Sequence, residues 1–225
     1  MHPTYNPRVK ICCIASIDEA HMAIAYGASA LGLVSAMPSG PGVISEEKIA
    51  EIAATIPPPI ATFLLTSKRD ARSIIAQQKK CRTNTLQLCD RIEVGGYREL
   101  RDGMPGVALV QVIHVSGRES IDEAIAAAPY VDALLLDSGN KNSPVKELGG
   151  TGRVHDWNIS KAIRESVEKP IFLAGGLNAE NVAKAIADVA PFGLDLCSGV
   201  RTNGTLNETK LAAFFDEIKK RHAHP

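Results

Sequence analysis

The sequence predicts a single-domain α/β protein, a (β/α)8 TIM barrel over residues 1–225, and three observations lead to this fold class. Short apolar runs alternate with amphipathic segments along the chain. The apolar runs are continuous, as in parallel strands that are covered on both faces. Eight such units follow one another without a long linker. The eighth favours a closed barrel over an open doubly wound sheet, because closure removes both sheet edges.

The eight predicted units follow in chain order. The first strand, "VKICCI", leads into a helix with Ser16 as N-cap, Glu19 as capping-box partner and Gly27 at its end. The second, "ALGLVS", precedes a helix that Ser45 caps and Pro57 stops. The other strands are "IATFLLT", "TLQLC", "VALVQVIHV", "VDALLLD", "PIFLAGG" and "GLDLCSG". Their helices lie near 68–80, 95–101, "SIDEAIAAA", 156–167, "NAENVAKAIADV" and "NETKLAAFFDEIKK".

Composition excludes several classes of function. The 25 basic and 25 acidic residues balance, which argues against a nucleic-acid or acidic-membrane partner. Aromatic residues make up only 4%, so a base-stacking surface is not expected. No segment approaches the roughly 18 continuous apolar residues of a membrane span, and the polar amino terminus does not resemble a signal peptide. Five cysteines without a CxxC or Cys/His cluster predict neither disulfides nor structural zinc, so we expect a reduced, cytoplasmic protein without a metal.

An aspartate marks the predicted active site. Asp137 ends the apolar sixth strand, and barrel enzymes place their active sites at the carboxyl ends of the strands. A carboxylate there serves either in catalysis or in capping the next loop. The polar loop 138–153 that follows carries Gly149, Gly150 and Gly152, which permit tight turns beside the mouth.

Two further loops predict a phosphate site. Gly175 and Gly176 follow the seventh strand, and Ser198 and Gly199 follow the eighth. Glycines let backbone N–H groups approach an anion, and these two loops often bind phosphate in barrels of this kind. The alternative is a pair of ordinary glycine turns.

Two adjacent cysteines, Cys12 and Cys13, end the first strand. Side chains alternate across a strand, so we expect only one of them to face the barrel axis. A lone cysteine is more often a small buried hydrophobe than a reactive thiol. Strands one and six face each other across part of the mouth, so a substrate between them could gain a proton on one side and lose one on the other.

The motifs "KICC", "LLLDS", "GGTGRVHDW", "LAGGLNAENV" and "DLCSGV" resemble phosphoribosylanthranilate isomerase of tryptophan biosynthesis, from Lys10 to Lys219. The resemblance implies an aldose–ketose isomerase of aromatic amino acid biosynthesis that needs no cofactor or metal. It implies an Amadori rearrangement of a small-molecule phosphosugar substrate, N-(5-phosphoribosyl)anthranilate, to the 1-amino-1-deoxyribulose 5-phosphate product.

The resemblance also implies roles for individual residues. Asp137 would be the general acid that protonates the furanose ring oxygen, and Cys12 the general base that takes the C2 proton. Nearby positive charge or N–H donors would keep Cys12 as a thiolate. Gly176, Ser198 and Gly199 would hold the phosphate.

Several positions around the mouth depart from the family pattern. Gly42 stands where an arginine normally meets the anthranilate carboxylate, and Cys89 stands for a histidine in "QLCD". Gln111 replaces a lysine common on the fifth strand, and Arg201 replaces the glutamate of "SGVE". Cys13 occupies the glycine position of "KICG".

The changed positions concern the end of the pocket that would hold the aryl group. Losing a bidentate arginine–carboxylate contact costs on the order of 1.5–3 kcal/mol of binding. Either Arg201 or Arg153 replaces that cation, or the substrate carries another group. Gly42→Arg is expected to lower KM if anthranilate is the true aryl group, and to raise KM or block activity if the pocket is shaped for another group. The candidate residues for this pocket are Gly42, Gln87, Cys89, Gln111, Arg153 and Arg201.

Two alternatives to the isomerase remain open. One is a paralogue acting on a different phosphoribosylamine, and the other is a non-catalytic phosphosugar-binding protein. Cys12 and Asp137 together favour an enzyme, because a pure binder has no use for both. A metal-dependent phosphosugar epimerase is disfavoured, because it needs His and Asp ligands on several strand ends. The sequence indicates no particular oligomeric state.

Overall fold

The computed structural model of the chain describes residues 7–139 and 152–223, with side chains up to residue 220. Eight parallel strands close into a barrel, each pairing with the next along the chain and the last with the first. This confirms the predicted (β/α)8 fold. Gly149 and Gly150 of the predicted glycine-rich loop lie outside the described residues, and the extension of one domain over 1–225 stays a prediction.

The elements alternate along the chain as the sequence predicts. The strands are β1 (Arg8–Ile11), β2 (Ala30–Val34), β3 (Ala61–Thr66), β4 (Thr85–Leu88), β5 (Ala108–His114), β6 (Ala133–Asp137), β7 (Ile171–Leu173) and β8 (Gly193–Leu196). The helices are α1 (Ile17–Tyr26), α2 (Glu46–Ala53), α3 (Ala71–Cys81), α4 (Val94–Gly103), α5 (Glu119–Ala127), α6 (Trp157–Ser166), α7 (Val182–Val189) and α8 (Glu208–Ala223). Two 3-10 turns (Ala128–Tyr130 and Ser198–Val200) and a short hairpin, β9 (Arg201–Thr202) with β10 (Thr205–Leu206), complete the fold.

Helix caps are formed largely as predicted. The Ser16 hydroxyl accepts a hydrogen bond from the Glu19 amide at 3.1 Å, and Ser45 caps α2 in the same way. The Glu19 carboxylate accepts from the Ala15 amide at 3.0 Å, one residue before the N-cap amide that a capping box uses, and it also pairs with Arg201. Glu19 therefore joins α1 to the segment after β8.

The core has two layers because side chains alternate across each strand. Leu31, Leu33 and other outward-facing residues pack between the barrel and the helices. A smaller cluster fills the barrel interior and includes Ala30, Val34, Phe63, Leu65, Val110, Val112, Leu135 and Phe172. None of the helices in the described part of the chain is long and apolar enough to cross a membrane.

A buried ion pair lies inside the barrel among these apolar side chains. Lys10 of β1 is fully buried, and its Nζ donates to Asp195 Oδ1 of β8 at 2.8 Å. The same ammonium lies 5.2 Å from the centre of the Phe63 ring. Lys10 and Asp195 are partners in the register of the neighbouring strands, so the barrel closure itself brings the two charges together.

Candidate active site

A pocket opens at the carboxyl ends of the strands, where barrel enzymes carry out their chemistry. It holds about 670 Å³, including its open mouth. Its lining includes seven residues that the sequence predicted for the site: Cys12, Gln87, Cys89, Asp137, Gly175, Gly176 and Ser198. It also includes Cys13, Asp195 and Cys197, to which sequence reasoning gave no role in the site.

Asp137 is the last residue of β6 and lines the pocket with its carboxyl group almost buried. Its Oδ1 accepts a hydrogen bond from the Ser138 amide at 2.7 Å, which fixes the side chain at the strand end. His114 is its register partner on β5, and the His114 Nε2 donates to the Cys89 carbonyl oxygen at 3.0 Å. The carboxyl group is thereby held at the rim of the barrel interior, facing the pocket.

Cys12 follows β1 on the pocket floor, and the ammonium of Lys10 lies close to it. A Cβ placed on Gly32 of β2 would lie 2.8 Å from Cys12 Sγ and 3.0 Å from Lys10 Nζ. The sulfur and the ammonium nitrogen are therefore within about 6 Å of each other, a separation at which an opposite charge favours the ionised form. Gly32 makes this approach possible, because any side chain there would collide with both groups.

The surroundings of Cys12 favour its thiolate. A hydrogen bond from the Cys13 thiol lowers the pKa of Cys12, and the charge of Lys10 lowers it further, against the opposing effect of burial. The same hydrogen bond raises the pKa of Cys13, so the shared proton stays on Cys13. Lys10 remains charged because Asp195 and Cys12 raise its pKa, although burial alone would lower it. Sequence reasoning missed Lys10, although a lysine inside an apolar strand was a visible signal.

Cys13 overturns the expectation that only one of the two cysteines faces the barrel axis. Its φ of 63° places it in the left-handed region, so the alternation of a strand no longer holds after Ile11. Both Cys12 and Cys13 line the pocket as a result. The Cys13 sulfur lies 2.6 Å from Cys197 Sγ and 3.6 Å from the Pro41 carbonyl oxygen.

The two predicted phosphate loops pack tightly against each other. Gly175 and Gly176 both have positive φ, 84° and 63°, a backbone conformation that residues with a side chain rarely adopt. A Cβ on Gly199 would lie only 1.9 Å from the Leu177 carbonyl oxygen, so the turn after β8 can approach the loop after β7 only with glycine there. Ser198 faces Gly152, the first described residue after the gap. Glycine is thus required by geometry in both loops.

The structure contradicts the prediction that Gln111 belongs to the substrate pocket. Val110 and Val112 face the barrel interior, so Gln111 between them faces outward toward α4. Its Oε1 accepts from the Tyr97 hydroxyl at 2.7 Å, and its Nε2 donates to backbone carbonyls including that of Leu88. Gln111 is therefore a structural link between β5 and α4.

Arg201 is also not available to a substrate carboxylate. Its guanidinium is buried and pairs with both oxygens of Glu19 at 3.0 Å. It also donates to the carbonyls of Cys12 at 3.2 Å and Cys13 at 2.6 Å. Arg201 thus supports the end of β1 from behind the pocket, and the idea that it replaces the missing arginine is wrong.

Arg153 and Gly42 complete the corrections. Arg153 lines a separate depression with Ser138 and His155, outside the lining of the main pocket. Gly42 has a φ of 79°, and a Cβ there would lie 2.5 Å from the Cβ of Cys13. Cys13 therefore occupies the space that a side chain at position 42 needs. An arginine at position 42 would collide with Cys13 before it could reach a substrate.

The chemistry available in this pocket is proton transfer. Within residues 7–139 and 152–223, no three or more His, Cys, Asp or Glu side chains are grouped so that they could hold a metal ion. A carboxyl group and a thiol supported by an ammonium line one pocket at the mouth of a (β/α)8 barrel. This arrangement is typical of (β/α)8 enzymes that act by general acid–base catalysis.

Comparison with known proteins identifies the family. Residues 9–217 match the model of the N-(5'phosphoribosyl)anthranilate (PRA) isomerase family. The chain belongs to this family, which confirms the resemblance in its motifs and, with it, an isomerase function in tryptophan biosynthesis.

Individual relatives agree over nearly the whole chain. It is 34% identical over 214 residues to N-(5'-phosphoribosyl)anthranilate isomerase 2 of Methanosarcina mazei, covering 94% of each chain. It is 31% identical over 210 residues to the isomerase of Methanocella arvoryzae, covering 93% of this chain and 96% of that one.

Solved structures show the same fold. Phosphoribosyl anthranilate isomerase from Thermotoga maritima has a TM-score of 0.81 at 26% identity, covering 95% of this chain and 99% of that one. A structure of the isomerase in complex with reduced 1-(o-carboxyphenylamino)-1-deoxyribulose 5-phosphate has a TM-score of 0.79 at 25% identity, with the same coverage.

Proposed function

We propose that this chain converts N-(5'-phosphoribosyl)anthranilate to 1-(o-carboxyphenylamino)-1-deoxyribulose 5-phosphate, with Asp137 as general acid and Cys12 as general base. The observation that carries the proposal is that both groups line one pocket, at the ends of β1 and β6, beside the two glycine-rich loops. The reaction needs two proton-transfer groups and no net oxidation.

The protonated Asp137 carboxyl group starts the reaction by giving its proton to the furanose ring oxygen. The bond between C1 and that oxygen breaks, and the lone pair of the aryl nitrogen forms an iminium at C1. Cys12 thiolate then removes the proton on C2, and the electrons of that C–H bond neutralise the iminium to give an enol-amine. Its tautomerisation yields the ketose. Each proton transfer of this kind contributes typically 10²–10⁴-fold to the rate.

Lys10 supports the base without touching the sugar in this mechanism. The hydrogen bond from Cys13 lowers the pKa of Cys12 most. The buried ammonium of Lys10, held by Asp195, lowers it further. A thiolate near neutral pH is the reactive form of a cysteine base. Lys10 is therefore proposed as a positioning residue that acts through Cys12.

The glycine-rich loops are proposed to bind the substrate phosphate. Backbone N–H groups near Gly176 and Ser198 can approach an anion because neither Gly175 nor Gly176 carries a side chain and Gly199 lets the two loops touch. Crystals grown with sulfate should show the anion at these loops, and an anion bound only elsewhere would refute the assignment.

The aryl group is the part of the substrate for which a second candidate exists. Among the described residues that line the pocket, none is arginine or lysine. Gly40 and Pro41 line the pocket, and neither carries a charge. This favours, as the alternative, a phosphoribosylamine whose aryl group lacks the carboxylate.

The test combines growth with a purified assay. The gene should restore growth of a tryptophan auxotroph that lacks this isomerase step, and the protein should consume the anthranilate substrate, followed by its loss of fluorescence. Asp137→Asn should lower kcat by about 10²–10⁴ with KM nearly unchanged. Cys12→Ser should abolish turnover, because an alcohol cannot take the C2 proton at neutral pH.

The outcomes separate the candidates. Wild-type turnover in Cys12→Ser or Asp137→Asn would remove that residue from the mechanism. Failure of the wild-type gene to complement, with turnover of a phosphoribosylamine that lacks the carboxylate, would establish the alternative substrate. Binding of the phosphosugar without turnover of either compound would show a non-catalytic protein.

A further inference from the structure

Two thiols that the proposed reaction does not use meet at the edge of the pocket. Cys13 Sγ and Cys197 Sγ are 2.6 Å apart, although the residues lie 184 positions apart in sequence. This separation is shorter than a van der Waals contact between sulfur atoms, and a disulfide joins them at about 2.05 Å. Only a small movement separates this pair of thiols from a covalent bond.

The backbone holds the two sulfur atoms in this arrangement. Cys13 has a φ of 63°, an unfavourable conformation for a residue with a side chain, and Arg201 donates to its carbonyl oxygen at 2.6 Å. Cys197 follows β8 directly and precedes the turn Ser198–Val200. Since β1 and β8 are paired, the two ends carrying these thiols cannot separate without opening the barrel.

We propose that Cys13 and Cys197 form an oxidative modification site, at which a hydroperoxide converts the two thiols to a disulfide across the pocket. Both residues line the pocket, and Cys197 is only partly buried, so a molecule as small as hydrogen peroxide reaches it from the mouth. The inference goes beyond the isomerase activity and does not depend on it.

The two steps balance. Cys197 first gives its proton to water, and its thiolate attacks one oxygen of the peroxide. An S–O bond forms, the O–O bond breaks, and the released hydroxide takes up that proton to give water. The Cys13 sulfur then attacks the Cys197 sulfenic acid, the S–S bond forms and the S–O bond breaks, and a second water leaves with the Cys13 proton. The two sulfur atoms lose two electrons and hydrogen peroxide gains them. A dithiol reductant reverses the reaction by exchange.

Oxidation has a consequence for catalysis, and this part alone depends on the proposed function. In the reduced protein the Cys13 thiol donates to Cys12 and lowers its pKa. A Cys13 sulfur in a disulfide has no proton to donate, so Cys12 loses the larger part of the support for its thiolate. The oxidised protein should therefore turn over more slowly at neutral pH than the reduced protein, because less of Cys12 is present as the thiolate.

The experiment treats the reduced full-length protein with hydrogen peroxide, blocks the remaining thiols and digests it with trypsin. Residues 11–48 and 185–201 are separate tryptic peptides, so a link between them is visible by mass spectrometry. The same treatment is applied to Cys197→Ala, to Cys13→Gly and to the matched control Cys81→Ala. Cys81 lies fully buried on α3 in the layer between strands and helices, away from the pocket.

We expect the cross-linked peptide pair in the wild type and in Cys81→Ala, its loss with dithiothreitol, and its absence in both other variants. In the wild type and in Cys81→Ala, turnover should fall in proportion to the cross-linked fraction and recover on reduction, each protein being compared with its own reduced rate. A link that persists in Cys13→Gly would show that Cys12 is the partner and would overturn the assignment. Sulfinic acid on Cys12, Cys13 or Cys197 without a link would also overturn it. A link without loss of turnover would refute the catalytic consequence.

Discussion

At the residue scale, a buried ammonium beside a buried thiol is an uncommon pairing inside a barrel filled mainly by apolar side chains. Lys10 has no exposed surface, and Asp195 is its ion-pair partner. Replacing such a pair by neutral groups is often tolerated, whereas removing one partner leaves an uncompensated charge and typically costs 3–5 kcal/mol. The stability of the fold therefore does not explain by itself why the pair lies next to Cys12.

The Lys10 pair gives a prediction about pH. Lys10→Met combined with Asp195→Asn should fold, because no lone charge remains in the core. The pKa of Cys12 should rise, since Lys10 lowers it more than Asp195 raises it. The acid limb of the kcat profile should then move to higher pH, and the rate of iodoacetamide labelling of Cys12 at neutral pH should fall. An unchanged limb with an unchanged labelling rate would leave Lys10 with a structural role only.

Gly42 and Cys13 are a second pair of neighbouring residues. We expect substitutions at the two positions to have coupled effects on stability and activity. Gly42→Arg alone should destabilise the protein by about 1–3 kcal/mol and reduce activity, because of the positive φ at position 42 and the overlap with the Cys13 Cβ. Adding Cys13→Gly removes the overlap and should recover part of both losses. If anthranilate is the aryl group, the double variant should also have a lower KM than Cys13→Gly. Urea denaturation and steady-state kinetics on all four proteins measure the coupling, and strictly additive effects would show that the two positions do not interact.

At the element scale, the site depends on loops whose backbones touch. The turn after β8 and the loop after β7 meet where Gly199 faces the Leu177 carbonyl. Side-chain contacts elsewhere between these segments can adapt, but a backbone carbonyl 1.9 Å from an added Cβ cannot. The phosphate site proposed here is therefore sensitive to a single methyl group.

Gly199→Ala tests this sensitivity. The methyl group should push the two loops apart, raise KM for the phosphosugar by about tenfold and lower kcat less, because the proton-transfer groups lie elsewhere. The matched control is Gly95→Ala on α4, where an added Cβ meets nothing within 4 Å and alanine should stabilise the helix by about 0.5–1 kcal/mol. A KM for Gly199→Ala equal to that of the control would contradict phosphate binding at these loops.

The scale of elements also shows what the sequence could predict. Continuous apolar runs and glycines in loops are local features of the sequence. They are therefore enough to predict the strands, the helices, the glycine loops and the place of Asp137 at the end of a strand. The side of the sheet on which Gln111 lies follows from its neighbours, because Val110 and Val112 both face inward and side chains alternate along a strand. The alternation of side chains along β1 does not extend to Cys13, because its backbone is left-handed. No pattern of residue types predicts that conformation.

Contacts between distant segments were beyond the reach of the sequence. The pairing of Arg201 with Glu19 joins residues 182 positions apart, and nothing local to either residue indicates it. The meeting of Cys13 with Cys197 depends on closure of the barrel between β8 and β1 in the same way. A single sequence therefore gives no sign that the guanidinium of Arg201 is already paired.

At the scale of the whole molecule, stability should depend on pH through a half-buried histidine next to the phosphate loops. The His155 Nε2 lies 2.6 Å from Ser160 Oγ, and its Nδ1 faces Gly175. Burial lowers the pKa of His155 to about 4, although the charge of Asp156 opposes this. In the unfolded chain an imidazole titrates near 6.5, so between about pH 4 and 6.5 the unfolded state binds the extra proton.

The sign of the effect follows from that difference. The contribution of His155 to the free energy of unfolding is fully present above about pH 6.5 and is lost as the pH falls toward 4, by on the order of 2–3 kcal/mol. His155→Gln, which keeps a polar side chain near Ser160, should remove this component, so its stability should fall less than that of the wild type between pH 7 and pH 4.5. Carboxylates such as Glu19 also weaken the fold in acid, but they act equally in both proteins and cancel in the comparison. His21→Gln is the matched control, because His21 is exposed on α1 and should leave the wild-type profile unchanged. Urea denaturation at the two pH values measures the difference, and parallel profiles for wild type and His155→Gln would show that His155 is protonated in the folded protein as readily as in the unfolded chain.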